Sequence, residues 1–91
     1  MNSIAGDYTT STTTVTTTAG AIPATALTNR RTILVYNNGS ETVYLGKSTV
    51  ATTTGYPLAP GDEKSFDLHD GLVLYGITES GTSDVRTMEG A

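Results

Sequence analysis

The stretch "RTILVYNNGSETVYLG", residues 31 to 46, decides the class of fold. Its first run alternates, with Ile33 and Val35 on one face, Leu34 and Tyr36 on the other, and apolar side chains on both. Successive side chains of an extended chain point to opposite faces, so this run reads as a strand inside a sheet rather than at its rim. The second run, "ETVYLG", alternates again, placing Val43 and Leu45 on one face and Thr42 and Tyr44 on the other. Between them stands "NNGS" (37–40), and Asn-Gly is the pair best suited to positive φ at both centres of a type I′ turn. The expectation is an antiparallel hairpin.

Downstream the same grammar continues. "KSTVATTTGYPLAPGD" (47–62) contains Pro57 and Pro60, which have no N–H to give a ladder, so this part is expected to be a loop or an edge strand. "PGD" turns the chain into "EKSFDL" (63–68), where Phe66 and Leu68 share a face, and a second strand pair is expected there. "HDG" (69–71) is a further turn. It leads to "LVLYGI" (72–77), with Val73, Tyr75 and Ile77 on one side and Leu72 and Leu74 on the other. "ESGTS" (79–83) turns again, and "DVRTM" (84–88) makes a last strand with Val85 and Thr87 inward and Arg86 outward. No apolar spacing of three and four marks a helix. With the region before Arg31 there are about seven strands, which predicts an all-β protein: a small antiparallel β-sandwich, jelly-roll or Ig-like, or a barrel.

Upstream, "DYTTSTTTVTTTAGAIP" (7–23) is nearly all threonine around a single Val15. Threonine favours strands through its branched Cβ, yet one apolar anchor gives such a strand little register of its own. Residues 1–21 are therefore expected to form an extended Thr-rich arm or edge strand, hinged through "GAIPAT" (20–25) to a sandwich domain at 22–91. Its residues 11–18 are expected to be ordered chiefly by pairing with another subunit or with the surface of a larger assembly. A mucin-like stalk would need a secretory route, and "MNSIAGDY" (1–8) has neither a basic n-region nor an apolar h-region, so synthesis in the cytoplasm is expected.

Composition narrows the partners. A chain of 91 residues with no cysteine buries a small core and has no disulfide or zinc thiolate to reinforce it, which makes self-association the natural extra source of stability. The net charge is −4 with five Lys and Arg, too few to make the basic face that nucleic acid requires. No stretch approaches the ~20 apolar residues of a membrane-spanning helix.

Groups able to carry chemistry are sparse. His69 lies between Asp67 and Asp70, but a metal needs three or four converging ligands, and the cluster reads as a polar strand end entering a turn. A Ser-His-Asp triad would have to use this one histidine, and neither a nucleophile elbow nor a phosphate-binding glycine loop occurs. No catalytic residue, cofactor or metal is therefore expected. "NGS" (38–40) reads as a turn rather than a glycan acceptor. Tyr8, Tyr36, Tyr44, Tyr56 and Tyr75 read as packing or subunit-contact residues, with a sugar-binding platform as the alternative. Arg30 and Arg31 could meet acidic groups of a partner, or pair internally with Asp62, Glu63 or Asp84. The candidate partner-contact residues are Thr12, Thr13, Thr14, Val15, Thr16, Thr17, Arg30, Arg31 and Tyr56.

From about Ile22 to Glu89, the series "RRTILVYNNGSETVYLG", "TTTGYPLAPGDEKSFDL" and "LYGITESGTSDVRTME" resembles the small β-sandwich proteins of tailed-bacteriophage virions. These are capsid decoration (cement) proteins and modules of head fibres and tails. The resemblance implies a structural subunit, without enzymatic activity, that binds the outer surface of an assembled capsid. Its implied partners are the major capsid protein and copies of itself, a trimer being favoured, and the larger assembly against which residues 11–18 would be ordered is then a capsid. A receptor- or carbohydrate-binding module of a fibre, or a head-to-tail or tail component, is the alternative.

Overall fold

The computed structural model describes residues 6–91. The readings that fall on residues 1–5, the start without a leader and the first part of the 1–21 arm, lie outside the described residues.

Eight strands run in order as β1 (Tyr8–Val15), β2 (Gly20–Ala21), β3 (Thr32–Asn37), β4 (Val43–Gly46), β5 (Tyr56–Leu58), β6 (Glu63–Phe66), β7 (Tyr75–Thr78) and β8 (Ser83–Gly90). They form two four-stranded antiparallel sheets, ordered β1-β8-β3-β6 and β2-β7-β4-β5. The pairs β1 with β8, β2 with β7, β3 with β6 and β4 with β5 are nested, as in one long hairpin. Rolling that hairpin up brings β8 against β3 and β7 against β4, which closes the two sheets. This is the jelly-roll arrangement, so among the expected all-β architectures the sandwich is correct, and its strand order is neither Ig-like nor that of a closed barrel.

Alternation explains the core. Val15, Ile33, Val35 and Val85 from the first sheet meet Val43, Leu45 and Leu58 from the second, with Ile22 and Leu74 from flanking segments. Phe66 and Leu68 pack against this cluster on their shared face, as expected. Each fully buried side chain of this size is worth about 1.5–3 kcal/mol of transfer free energy. Ile33 and Val35 are buried while Leu34 is half-buried and Tyr36 exposed, so β3 is an inner strand with only one face in the core. In β8, Val85 and Thr87 point inward and Arg86 outward, again as expected. β5 is the edge strand that Pro57 requires.

Three expectations are corrected. First, residues 31–46 are not a hairpin: β3 lies in one sheet and β4 in the other. Positive φ among the described residues occurs at Asn29, Gly61 and Gly81, not at Asn38 or Gly39, so "NNGS" forms no type I′ turn. Asn37 decides this. Its buried amide donates to the carbonyls of Glu41 (2.7 Å) and Leu58 (2.8 Å) and accepts from Gly39 N–H (3.1 Å) and Ser83 Oγ–H (2.6 Å). A side chain that satisfies four partners across both sheets fixes a corner at which the chain changes sheet.

Second, "PGD" joins strands of different sheets. β5 pairs with β4 and β6 with β3, so these two neighbours do not pair with each other.

Third, the threonine strand finds its partner in its own chain. β1 pairs with β8 over its whole length, from Tyr8 against Gly90 to Val15 against Ser83. Its register is held from both ends. Asp7 and Ala91 exchange backbone hydrogen bonds at one end; at the other Val15 enters the core and Thr78 N–H donates to Thr16 O at 2.9 Å. Of the two forms expected for the arm, the edge strand is the one present. "LVLYGI" also contributes less strand than its apolar run implies, because β7 begins only at Tyr75 and Leu72 and Val73 stay outside the sheet.

Candidate functional site

The arrangement with the clearest functional character starts at Arg30. A tight turn delivers it: Arg30 N–H donates to Leu27 O at 3.0 Å, and Asn29 sits at φ 61°, a left-handed conformation that asparagine accepts more readily than most residues. Asn29 N–H also donates to Asp70 Oδ2 at 2.7 Å. The Arg30 side chain then runs inward and is 1% exposed. Its Nη1 meets Glu89 Oε2 at 2.8 Å, its Nε donates to Leu68 O at 2.9 Å, and its Nη2 donates to His69 O (3.2 Å) and Leu72 O (2.6 Å). One guanidinium thus holds three carbonyls of the 67–74 loop and ties them to a carboxylate in β8.

Removing both charges from water costs several kcal/mol per ion, and such a pair returns that cost only when further hydrogen bonds complete it. Here the completing bonds all go to one loop. Glu89 Oε2 also accepts from Leu27 N–H at 3.2 Å, so the turn and the loop share one anchor. Among the described residues Glu89 Oε1 has no partner, and the arginine is therefore the main compensation for that buried charge.

What the pinned loop displays is apolar. Leu72 is 60% exposed and Val73 47%. With Phe66, Leu68, Leu74 and Tyr75 they line a groove of about 610 Å³ at the end of the sandwich, where β4 stops at Gly46 opposite Tyr75 and Lys47 stands at the rim. An exposed apolar pair beside a groove is a surface that contact with another molecule would cover. Holding it on a fixed loop reduces the conformational entropy lost when that contact forms.

A second surface is the outer face of the sheet β1-β8-β3-β6. Register places Thr12, Arg86, Tyr36 and Glu63 in one row and Thr10, Met88, Leu34 and Ser65 in the next. The first three strands of these rows bound a shallow groove of about 430 Å³. At its end, Asp84 Oδ2 accepts from Asn38 Nδ2 and from Arg86 Nε, each at 3.0 Å. The Asn38 hydrogen bond, aided by the Arg86 bond and charge, holds the Asp84 carboxyl below its usual value against a smaller opposing effect of desolvation.

The residues singled out from sequence do not converge. Thr12 and Thr14 are exposed on the outer face of β1, Thr13 is half-buried on its inner face, Val15 is in the core, and Thr16 and Thr17 are exposed beyond the strand. Arg30 is internal and its partner is Glu89 rather than Asp62, Glu63 or Asp84, which removes it from any surface that meets a partner. Arg31 is exposed, while its backbone joins Gly90 O and Leu68 N–H. Tyr56 is exposed on β5, with Lys64 Nζ of β6 5.9 Å from its ring centre, on the side of the sandwich away from β1. His69 is 76% exposed, with Nδ1 3.2 Å from Asp70 Oδ1 and accepting Gly71 N–H at 3.1 Å, which is turn geometry. Among the described residues no three His, Cys, Asp or Glu side chains gather as metal ligands, and no helix is long and apolar enough to cross a membrane.

Glu89, Leu72 and Val73 were absent from the sequence candidates. The signal for Glu89 was present: alternation from Val85 through Thr87 puts it on the inner face, where a carboxylate needs a cation.

No protein-family model matches the chain, and no curated protein matches it. Fold and surfaces define a class: a small jelly-roll sandwich that carries a pinned apolar loop at one end.

Proposed function

We propose that this chain is a structural subunit of a tailed-phage virion that binds the outer surface of the assembled capsid and stabilises it. The observation that carries the reading is the apolar pair Leu72 and Val73, held outward on a loop that a buried arginine fixes in place. The sequence resemblance supplies the virion context, and the major capsid protein is the proposed partner. A subunit that binds only the closed lattice stabilises it by linkage, in proportion to RT ln(1 + [L]/Kd) at each site.

Co-sedimentation of the purified protein with capsids of its own phage tests this. The wild type is expected to pellet with the shells. A Leu72→Ser, Val73→Ser variant is expected to lose at least about 10-fold in affinity, since each side chain carries about 1.5 kcal/mol or more of burial. A wild type that stays in the supernatant, or a variant that binds as well, would reject the reading.

One observation favours a second reading, a glycan-binding module of a fibre or tail. Tyr36 lies beside Arg86 on the outer face, and Thr10 and Thr12 line the same groove from β1, on the far side of β8. Aromatic rings take the apolar faces of sugars while neighbouring polar groups take their hydroxyls. A glycan array with Tyr36→Ala as control decides it, and uniformly blank arrays reject it.

A further inference from the structure

The open edge of β1 is unlike the other three edges of the sandwich. β6 carries Glu63 and Lys64, β5 carries Pro57, and β2 is two residues long. Charge, proline and shortness are the usual means by which a sheet edge is kept from pairing with another chain. β1 has none of them: it is eight residues long, and the sequence holds no charged residue from Tyr8 through Asn29.

Its unpaired peptides can be assigned. Asp7 and Ala91 exchange both backbone bonds, so every second residue from there, Thr9, Ser11, Thr13 and Val15, directs its N–H and C=O toward β8. Tyr8, Thr10, Thr12 and Thr14 direct theirs away from the molecule. The opposite side of β8 agrees, because Gly90 O accepts from Arg31 N–H and Asp84 O from Asn38 N–H. Tyr8 N–H is taken by the Asp7 carboxylate at 2.8 Å. Among the described residues nothing pairs the outward peptides of Thr10, Thr12 and Thr14.

We infer that this edge joins β1 of a second copy of the chain, antiparallel across a two-fold axis at Thr12. That register opposes Thr12 to Thr12 and Thr10 to Thr14, and every outward N–H and C=O of the three residues is then paired. A like strand fits because the edge is uncharged: self-pairing sets no two charges of one sign together, whereas a charged partner strand would find no complement. Threonine opposite threonine on the outer face and Ser11 opposite Thr13 on the inner face are favourable cross-strand pairs. The two first sheets become one continuous eight-stranded sheet, and the two apolar loops are carried by one particle. The inference stands apart from capsid binding, since it concerns the purified protein alone.

Sedimentation of the protein up to millimolar concentration tests it. The expected species is a dimer of the 9.5 kDa chain. Thr12→Pro is expected to be monomeric yet folded, because the lost N–H points away from β8 and proline is tolerated on such an edge. Thr12→Lys, which places two like charges at the axis and leaves the backbone intact, is expected to be monomeric as well. A register test uses the lack of native cysteine: hydrogen-bonded partners stand about 5.5 Å apart at Cα, within disulfide range. Thr12→Cys is therefore expected to oxidise to a covalent dimer, while Tyr8→Cys is not. A monomeric wild type, a trimer, a dimer that survives both Thr12→Pro and Thr12→Lys, or equal cross-linking at positions 8 and 12 would overturn the inference.

Discussion

At the scale of single residues, Asn37 has the largest structural consequence for its size. Asn37→Leu keeps the volume and removes the donors to Glu41 O and Leu58 O together with the acceptor for Gly39 N–H and Ser83 Oγ–H. Buried groups left unpaired cost about 1–3 kcal/mol each, so a loss of about 3 kcal/mol or more is expected in urea denaturation. Gly39 beside it is required for closeness rather than for φ. An added Cβ would lie 2.7 Å from Asp84 N and 2.8 Å from Ser83 Cα and overlap the Ser83 hydroxyl, and Gly39→Ala is expected to cost about 1–3 kcal/mol. The sequence reading took Asn-Gly as a turn pair because those are the residues a type I′ turn needs. The same two types also suit a buried amide hub and a close backbone approach, and nothing local separates the two uses. Asp84 gives a pH prediction. Its folded pKa lies below the usual 3.8, so its contribution to stability is present above that value and is lost as pH falls through the lower folded one. In Asn38→Ala the Asp84 carboxyl is expected to titrate at higher pH, which carbonyl-carbon NMR measures directly.

At the scale of elements, the 67–74 loop and β1 behave in opposite ways to their composition. The loop is apolar at Leu72 and Val73 yet stays outside the sheets, because Arg30 holds its carbonyls and Glu89 holds Arg30. Arg30→Ala leaves a buried carboxylate unpaired and is expected to cost about 3–5 kcal/mol. Hydrogen exchange of the Leu72 amide, which donates to His69 O, is expected to rise more than that of β3 amides if the arginine's particular role is to order the loop. Equal increases would show a purely global effect. β1 is polar and yet integral. The composition points to an arm hinged to a sandwich domain at 22–91. The structure joins the two, since deleting residues 1–20 removes the core residue Val15 and strips β8 of one of its two neighbouring strands along its whole length. The truncated chain is expected to show no cooperative thermal transition by circular dichroism. The propensity of threonine for strands was readable, whereas the partner strand lay at the other end of the chain.

At the scale of the molecule, nearly every pairing joins distant segments, with residue 8 opposite residue 90 as the extreme and β4 with β5 as the local exception. Loop-closure entropy has to be spent before such contacts form, so folding is expected in about milliseconds to seconds, the range of non-local β topologies, and stopped-flow fluorescence of the tyrosines measures it. Microsecond relaxation would contradict the nested order of strands. By itself the sequence determined most of the strands and which side chains share a face: Ile33 with Val35, Val43 with Leu45, Val85 with Thr87, and Phe66 with Leu68 lie together as alternation puts them. Alternation is a local property of an extended chain, and six residues are enough to read it. Only the tertiary structure decided which sheet each strand joined, that Asn37 turns a corner, that Arg30 belongs to Glu89, and that the threonines pair within their own chain. Those choices depend on buried polar groups finding partners across the rolled-up hairpin, and a strand's own residues do not record which distant strand will supply them.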